Sequence, residues 1–420
     1  MFLRQKMLSG FGSSLEWFDF ALYGFFAPIF SKIFFSSTQN HWVTLITAYG
    51  VFAIGFLARP IGAILFGYLG DKYGRVLPLK ITPLAIAITT GVIAFLPSYN
   101  TTGSFSILLL TVIRIIQGVL LGGEYSGNMV YLCESSPRWR YLLGSFASCT
   151  GSFGIVLASA ASALTHALLP DVLYDYGWRL PFLLAIPIGI FTFLIRLKIP
   201  ESSEFNPQPE MNPVVEIIKN QKIRIFSGFG LIYLHATSFY FVFMFLPVFL
   251  NQIRHLQESA SLINNTWFLL IHLLLIPLFG LIIPMLGGFR VLMLISIIFC
   301  FSSLPAFYLL SYGNHTAIFY GLLWFSIITA VNGAVIPGLL AEITPKSFRC
   351  TLLALVFNIG FGVAGGLTPT IALLLVKNDY GILSPAWYLT AVSAVTFLSA
   401  FTEKKHQEKN QVGQIKNEIG

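Results

Sequence analysis

Two carboxylates and a tyrosine lie on one face of the first apolar stretch of the chain. Glu16, Asp19 and Tyr23 follow the spacing i, i+3 and i+7, which places them on the same side of a helix. A charged side chain inside a membrane-spanning helix costs about 2.5–3.5 kcal/mol, so it faces a cavity or a partner. A carboxyl group withdrawn from water can take up and release a proton near neutral pH. We therefore predict that Asp19 and Glu16 carry protons, with an ion pair to a basic residue as the alternative for Glu16.

A second polar group lies in the fourth apolar stretch, where Gln117 and Glu124 are seven residues apart and share a face. Arg114, about one turn before Gln117, needs an anionic partner at this depth: Asp19, Glu124 or the carboxylate of a solute. We predict that Glu124 takes part in proton transfer. The alternative is a purely structural ion pair that holds the helices together and also recruits Arg59.

Glycines of the same stretch form two GxxxG pairs, Gly118 with Gly122 and Gly123 with Gly127. Such pairs let a neighbouring membrane helix approach closely. We expect a tight helix contact along this face.

The later part of the chain has few ionisable residues within apolar stretches. His235 and His272 are lone histidines, which are more typical of hydrogen-bonded packing than of function. Tyr240 and the phenylalanines of residues 239–245 either line a cavity or face lipid, and the 40 phenylalanines of the chain favour lipid. The residues predicted to bind a solute are Arg114, Gln117, Tyr23, Tyr125, Asn332 and Asn358.

These residues belong to a chain with the composition of a membrane protein. Of its 420 residues, 56% are hydrophobic and 10% are charged, whereas about a quarter are charged in a typical soluble protein. The net charge of +8 does not indicate nucleic-acid binding, because the basic residues lie between the apolar stretches. Stretches of about twenty apolar residues predict twelve transmembrane helices. The predicted fold class is therefore an all-α membrane protein. Their approximate ranges are 9–35, 43–69, 76–97, 105–133, 142–168, 178–198, 224–250, 260–286, 290–311, 316–341, 350–376 and 384–402.

The basic residues also predict the orientation. With both termini in the cytoplasm, nineteen of the 25 lysines and arginines lie on the cytoplasmic side and four on the other, as the positive-inside rule requires. The polar segment 199–223 then divides the chain into two six-helix bundles, 1–198 and 224–402, with a cytoplasmic central loop between them. The polar tail 403–420 is expected to be cytoplasmic and disordered.

The two halves share a short sequence echo. Glu134 and Glu342 lie 208 residues apart, each begins a Glu-x-x-Pro sequence with basic residues after it, and each precedes a glycine-rich stretch. Parallel six-helix repeats around a midplane site are a known transporter architecture.

Residues 67–75, which read GYLGDKYGR, resemble the signature loop of the major facilitator superfamily. By resemblance, Asp71 and Arg75 lock the cytoplasmic side by pairing with neighbouring helix ends. The equivalent loop after the eighth stretch keeps Arg290 but lacks the acidic residue. The residues predicted to gate the cytoplasmic side are Asp71, Arg75, Arg59, Glu134, Arg138 and Glu342.

Three stretches together resemble one branch of that superfamily, the metabolite:proton symporter family. They read LEWFDFALYG from residue 15, FLARPIGAILFGYLGDKYGR from residue 56 and RIIQGVLLGGEYSG from residue 114. GWRLPF at 177–182 and IPESSEF at 199–205 are also similar to family motifs, with Ser203 where the family has proline. The resemblance implies uptake of a small organic acid, of the oxoglutarate, citrate or shikimate type, or of a zwitterion such as proline or betaine. The proton gradient would drive this uptake without a further cofactor or metal. The specific motifs lie within residues 10–205, and the second half fits by topology.

We accordingly expect a multi-pass protein of a bacterial inner membrane that works as a monomer, with a small solute, protons and lipid as its partners. An exporter of the same fold, for a drug or a siderophore, stays open because fold does not set direction. A membrane-embedded enzyme and a sensor without transport are further alternatives. The longest loop, 199–223, contains carboxylates but no His or Cys, which argues against an enzyme.

Overall fold

The computed structural model describes residues 2–36, 40–73, 76–134, 136–197, 222–344, 349–377 and 381–419, and within these ranges all regular structure is helical. The helices form twelve long segments, here called spans 1 to 12. Spans 1 to 6 are Phe2–Ile33; His41–Leu57 with Arg59–Tyr73; Val76–Ile93; Ser104–Leu121 with Glu124–Glu134; Arg140–Leu168; and Arg179–Arg196. Spans 7 to 12 are Lys222–Tyr240 with the π-helix Phe241–Phe245 and Leu246–Gln252; Glu258–Leu286; Gly288–Tyr312; His315–Ile343; Arg349–Phe357 with the π-helix Asn358–Gly365 and Gly366–Lys377; and Ser384–Ile419.

The predicted fold class is confirmed, and each span overlaps one predicted stretch. Within the described ranges, nine helical segments are long and apolar enough to cross a membrane, and the apolar helix Leu79–Ile93 of span 3 is shorter. The outer surface carries large exposed hydrophobic side chains, including Met285, Phe301 and Phe226, each more than 70% exposed. Such a surface suits contact with lipid.

Span 7 lies inside the molecule. The most apolar part of Arg224–Gln252 is 94% buried, whereas that of Ser259–Leu286, which contains most of span 8, is only 28% buried. Phe239, Phe241, Phe243 and Phe245 are therefore core residues, and our prediction that they face lipid was wrong. The large number of phenylalanines in the chain does not tell which of them face lipid. For span 7, packing against spans 10, 11 and 12 decides it.

The tail was also predicted incorrectly. The helix of span 12 continues to Ile419, so the tail from Glu403 is helical rather than disordered. The Nζ atom of Lys404 lies 3.7 Å from Oε1 of Glu408 one turn later, and Nζ of Lys405 lies over the ring of Phe401. Such i, i+4 pairs support an exposed helix.

The spans before and after the central segment meet along several helices. Span 5 packs against spans 8 and 10, and span 2 packs against span 11. Polar contacts cross the same boundary: Ser148 donates to the carbonyl oxygen of Gly333 at 2.7 Å, and Ser159 lies 2.8 Å from Thr266. The middle of the molecule is therefore shared between the two halves of the chain.

Spans 2 and 4 cross at their glycines. A Cβ atom on Gly118 would lie 1.9 Å from the carbonyl oxygen of Gly55, and one on Gly62 would lie 1.9 Å from that of Val119. These contacts are with backbone, which cannot move aside. Gly122 and Gly123 also face span 2, whereas a Cβ on Gly127 would meet nothing within 4 Å.

We predict that Gly118→Ala destabilises the protein by about 1–3 kcal/mol, because the added methyl group forces the two backbones apart. Thermal unfolding of the purified protein in detergent measures the effect. Gly127→Ala is the matched control and should unfold at the wild-type temperature or above it. Equal melting temperatures for Gly118→Ala and the wild type would contradict the observed helix contact.

Candidate functional site

The centre of the first half is a hydrogen-bonded group around Asp19. Its Oδ1 atom accepts hydrogen bonds from Oγ1 of Thr90 and from Nε2 of Gln117, the latter at 2.9 Å. Its Oδ2 atom has no hydrogen-bond partner among the described residues and lies 3.8 Å from Nη1 of Arg114. That same Nη1 donates to Oε1 of Gln117 at 2.8 Å. Gln117 thus bridges the guanidinium and the carboxylate, which do not bond directly.

Arg114 is enclosed by aromatic rings as well as by this bridge. Its guanidinium carbon lies 4.0 Å from the ring centroid of Phe20 and 4.5 Å from that of Tyr23. Asp19, Arg114 and Gln117 are completely buried. The Nε and Nη2 atoms of Arg114 have no hydrogen-bond partner among the described residues, so the guanidinium keeps donors that a ligand could use.

Glu16 makes an ion pair with Arg59, which joins spans 1 and 2 at full burial. The guanidinium of Arg59 also lies over the rings of Trp17, Phe20 and Phe56, at 5.3–5.5 Å from their centroids. The alternative that we left open for Glu16, pairing with a basic residue, is therefore present in the structure. Arg59, predicted as a gating residue, is fully buried in this pair, and its gating role stays a prediction.

The second half faces this site with uncharged polar and aromatic groups. Asn358 of span 11 donates to the carbonyl oxygen of Gly122 at 2.6 Å and so contacts span 4 directly. Both amide atoms of Asn332 and the hydroxyl of Tyr240 are buried without a hydrogen-bond partner among the described residues. Tyr125 lies between the two halves, with its ring 5.6 Å from Trp17 and 4.6 Å from Phe357.

The two histidines are both buried. His272 has its Nδ1 atom 3.4 Å from the carbonyl oxygen of Ser326, as a packing histidine does. His235 leaves Nδ1 without a partner in the described part of the chain and packs its ring against Phe361.

Two contacts join the halves at one end of the molecule. Nη1 of Arg349 lies 2.6 Å from Oε1 of Glu134, and the hydroxyl of Tyr141 donates to Oε2 of Glu342 at 2.6 Å. Tyr141 and Arg349 are 208 residues apart, as are Glu134 and Glu342. Each half thus offers a carboxylate to the equivalent position of the other half, and we call these two pairs the end latch. Arg138 is not part of it: the side chain is exposed and lies over the ring of Trp139.

The opposite end has a cross-half contact of its own. Nε2 of His41, which begins span 2, lies 2.9 Å from Oε1 of Gln252, which ends span 7. Contacts between the two halves are therefore present at both ends of the molecule.

Some predicted residues lie outside the described part of the molecule. Arg75 and the side chains of Asp71 and Glu124 are among them, so their predicted roles stay predictions. Sequence reasoning missed Thr90, because a threonine in an apolar helix carries no signal. It also missed Arg349 and Tyr141, although the 208-residue echo could have found both.

Comparison with known proteins identifies related transporters. Residues 7–210 match the family model described as sugar (and other) transporter. The chain is 34% identical, over 93% of its length and 85% of the relative, to a Staphylococcus aureus protein provisionally named a proline/betaine transporter. It is 32% identical, over 94% of its length and 82% of the relative, to the proline/betaine transporter of Escherichia coli K12. The solved structure of the proton:xylose symporter XylE superposes with a TM-score of 0.78, covering 96% of this chain and 94% of the other at 18% identity.

We predict that Arg59→Met destabilises the protein by about 3–5 kcal/mol, because it leaves the Glu16 carboxylate buried without its cation. The double variant Glu16→Leu with Arg59→Met should recover most of the loss, since neither charge then remains. Thermal unfolding of the wild type, both single variants and the double variant measures the coupling. Simple addition of the two single losses would show that the ion pair is not a unit.

Proposed function

The chain belongs to the major facilitator superfamily, in its metabolite:proton symporter family, and we propose that it takes up a small zwitterion of the proline and betaine type together with a proton. The chain is an integral membrane transporter with multiple spans rather than an enzyme. Relatives named for proline and betaine, which match over more than nine-tenths of the chain, support the solute class. Their bacterial origin supports a place in a bacterial inner (cytoplasmic) membrane. The distribution of basic residues supports both termini in the cytoplasm.

One observation carries the proton coupling: the buried charge of Arg114 is balanced by Asp19 through Gln117. The Oδ1 atom of Asp19 is occupied by two donors, so an incoming proton binds at Oδ2. Protonation removes the anion that Arg114 needs at this depth. The carboxylate of a solute then restores the balance, and its attraction to the guanidinium favours entry of solute and proton together.

The remaining carboxylates of the first half have lesser parts in this proposal. Glu16 is already paired with Arg59 and stabilises the spans on which the site is built. Glu124 stays a predicted second proton group. Gln117 and Tyr23 hold Arg114 in place. Tyr125 of the first half, with Asn332 and Asn358 of the second half, lines the path.

Alternating access follows from the contacts at the two ends. The end latch lies on the side predicted to be cytoplasmic, and it holds the halves together there. Rocking of the halves about the central site would break the latch and release the solute inwards. Asp71 and Arg75 belong to the same cytoplasmic gate by resemblance. The monomer contains the whole path.

We predict that Asp19→Asn abolishes accumulation driven by a proton gradient, because an amide cannot exchange the proton. Counterflow of solute, which needs no net proton movement, should continue. Right-side-out membrane vesicles with an imposed pH gradient, and labelled glycine betaine or proline, provide both readings. The exposed Asp175→Asn is the matched control.

Wild-type accumulation by Asp19→Asn would exclude Asp19 as the coupling residue. Proton-driven accumulation by the wild type in inverted vesicles only would instead identify an exporter. Solute uptake at the same rate with and without the pH gradient would exclude proton coupling.

We predict that Arg349→Gln opens the latch end, because it removes the cation that holds Glu134. The native Cys133 reports this opening: it is buried, with Sγ 3.7 Å from the carbonyl oxygen of Pro337 in the other half. With the other three cysteines changed to serine, alkylation of Cys133 by a soluble maleimide should become at least about fivefold faster in Arg349→Gln, as expected for the loss of roughly 1 kcal/mol or more of pairing. Arg138→Gln is the control and should leave the rate unchanged. Equal rates in Arg349→Gln and the wild type would exclude the latch as a closing contact.

A further inference from the structure

Phe361 lies at the point where the two halves meet most closely. Its ring centroid is 5.2 Å from that of Trp17 in span 1, 5.1 Å from His235 and 5.4 Å from Tyr240 in span 7. Phe357 stacks on it at 4.9 Å. The ring is 3% exposed and fills the space between spans 1, 7 and 11.

Three of the side chains that pack against this ring carry polar atoms that no hydrogen bond from the described residues satisfies. Nε1 of Trp17, Nδ1 of His235 and the hydroxyl of Tyr240 all lack a hydrogen-bond partner among the described residues. The three side chains are at least 95% buried. Buried polar groups are nearly always hydrogen-bonded, so three unmet groups on side chains packed against one phenyl ring favour a polar ligand at this position.

The chemistry of these groups indicates what that occupant is. An indole N–H can only donate, and a tyrosine hydroxyl and an imidazole nitrogen can donate as well. The guanidinium of Arg59, 5.5 Å from the ring of Trp17, is already paired with Glu16 and adds no net charge. Three groups that can all donate suit a ligand that only accepts, of which a carboxylate is the simplest.

The backbone at Phe361 has a means of moving the ring. Phe361 belongs to the π-helix Asn358–Gly365, a kind of segment that is frequent at functional sites. Return to α-helix would rotate the residue about 100° around the helix axis for each inserted residue that is removed. Glycines on both sides keep the backbone close to its neighbours: a Cβ on Gly360 would lie 2.1 Å from Ile232, and one on Gly362 would lie 3.1 Å from the carbonyl oxygen of Phe56.

We propose that in the closed state Phe361 occupies the place of the solute's carboxylate, and that Trp17, His235 and Tyr240 bind this carboxylate once rewinding of the π-helix turns the ring away. The inference rests on the proposed function, because it assigns the contacts of the same solute. Arg114 attracts the carboxylate by its charge, whereas these three groups hold it directly. Phe361 is then an internal competitor that keeps the empty carrier closed.

The test is binding of glycine betaine and proline to the purified protein by titration calorimetry, without a proton gradient. Choline and pyrrolidine, which lack the carboxylate, are the comparison ligands. Trp17→Phe and Tyr240→Phe each remove one donor, so each should weaken betaine and proline binding about tenfold or more and leave choline and pyrrolidine unaffected. Phe361→Ala should bind betaine several-fold more tightly, because a larger fraction of the protein is then competent to bind.

Phe307→Ala is the matched control. Phe307 is a fully buried phenylalanine of the second half that packs on Phe241, Phe245 and Phe249, away from the three donors. It should lower the melting temperature without changing affinity. The opposite signs expected for Phe361→Ala and for the donor variants separate a competitor from an ordinary core residue.

Three results would overturn the proposal. In the first, Trp17→Phe and Tyr240→Phe bind betaine as the wild type does. In the second, Phe361→Ala binds it more weakly. In the third, the wild type does not prefer the carboxylated ligands to choline and pyrrolidine. Failure of proton coupling would contradict the proposed function but leave these equilibrium affinities, and the inference, unchanged.

Discussion

A guanidinium buried in an apolar helix bundle must be balanced by an anion in every state that the molecule populates, because an unpaired buried charge is far more costly than the pair. Arg114 meets this constraint through Gln117 and Asp19, with the direct Nη1–Oδ2 distance at 3.8 Å. Thr90 fixes the other carboxylate oxygen from span 3. The bridge therefore ties spans 1, 3 and 4 together and leaves one oxygen and two guanidinium nitrogens available for change. The glycine contact between spans 2 and 4 holds the backbone of Arg114 close to span 2. The carbonyl oxygen of Arg114 lies 3.1 Å from the position that a Cβ atom on Gly55 would take.

The two halves contribute different chemistry around this bridge. The first half carries the buried charges, Glu16 with Arg59 and Asp19 with Arg114. Among the described residues, the second half meets them with uncharged groups. Asn358 donates to the backbone of span 4, and Tyr240 packs on Phe56 with its hydroxyl buried and without a hydrogen-bond partner in the described part of the chain. At the end latch, by contrast, the halves are nearly equivalent, each giving a carboxylate to the other. The central site thus has its described charged groups in the first half only, whereas the end latch has equivalent contacts from both halves. This arrangement suits a carrier in which the two halves rock against each other around the central site.

Much of this organisation is readable from sequence, because membrane burial makes apolar length and rare charges strong signals. The twelve spans, the helix face shared by Glu16 and Asp19, and the close approach at Gly118 were all predictable. The pairing of the charged side chains was not predictable. The ion pair of Glu16 with Arg59, and the position of Gln117 between Arg114 and Asp19, depend on how side chains of three packed helices meet. The burial of Phe239 and Phe243 was mispredicted, because an apolar ring satisfies lipid and protein core equally well. The unmet polar groups of Trp17, His235 and Tyr240 belong to three side chains on two spans and have no local pattern in the sequence.

The central claim is that Asp19 takes up a proton when a solute balances Arg114. Infrared difference spectroscopy of the purified protein, with and without glycine betaine, observes the carboxyl group directly. The account predicts a solute-induced band of a protonated carboxyl group that is present in the wild type and absent in Asp19→Asn. A spectrum without that band, or the same band in Asp19→Asn, would contradict it.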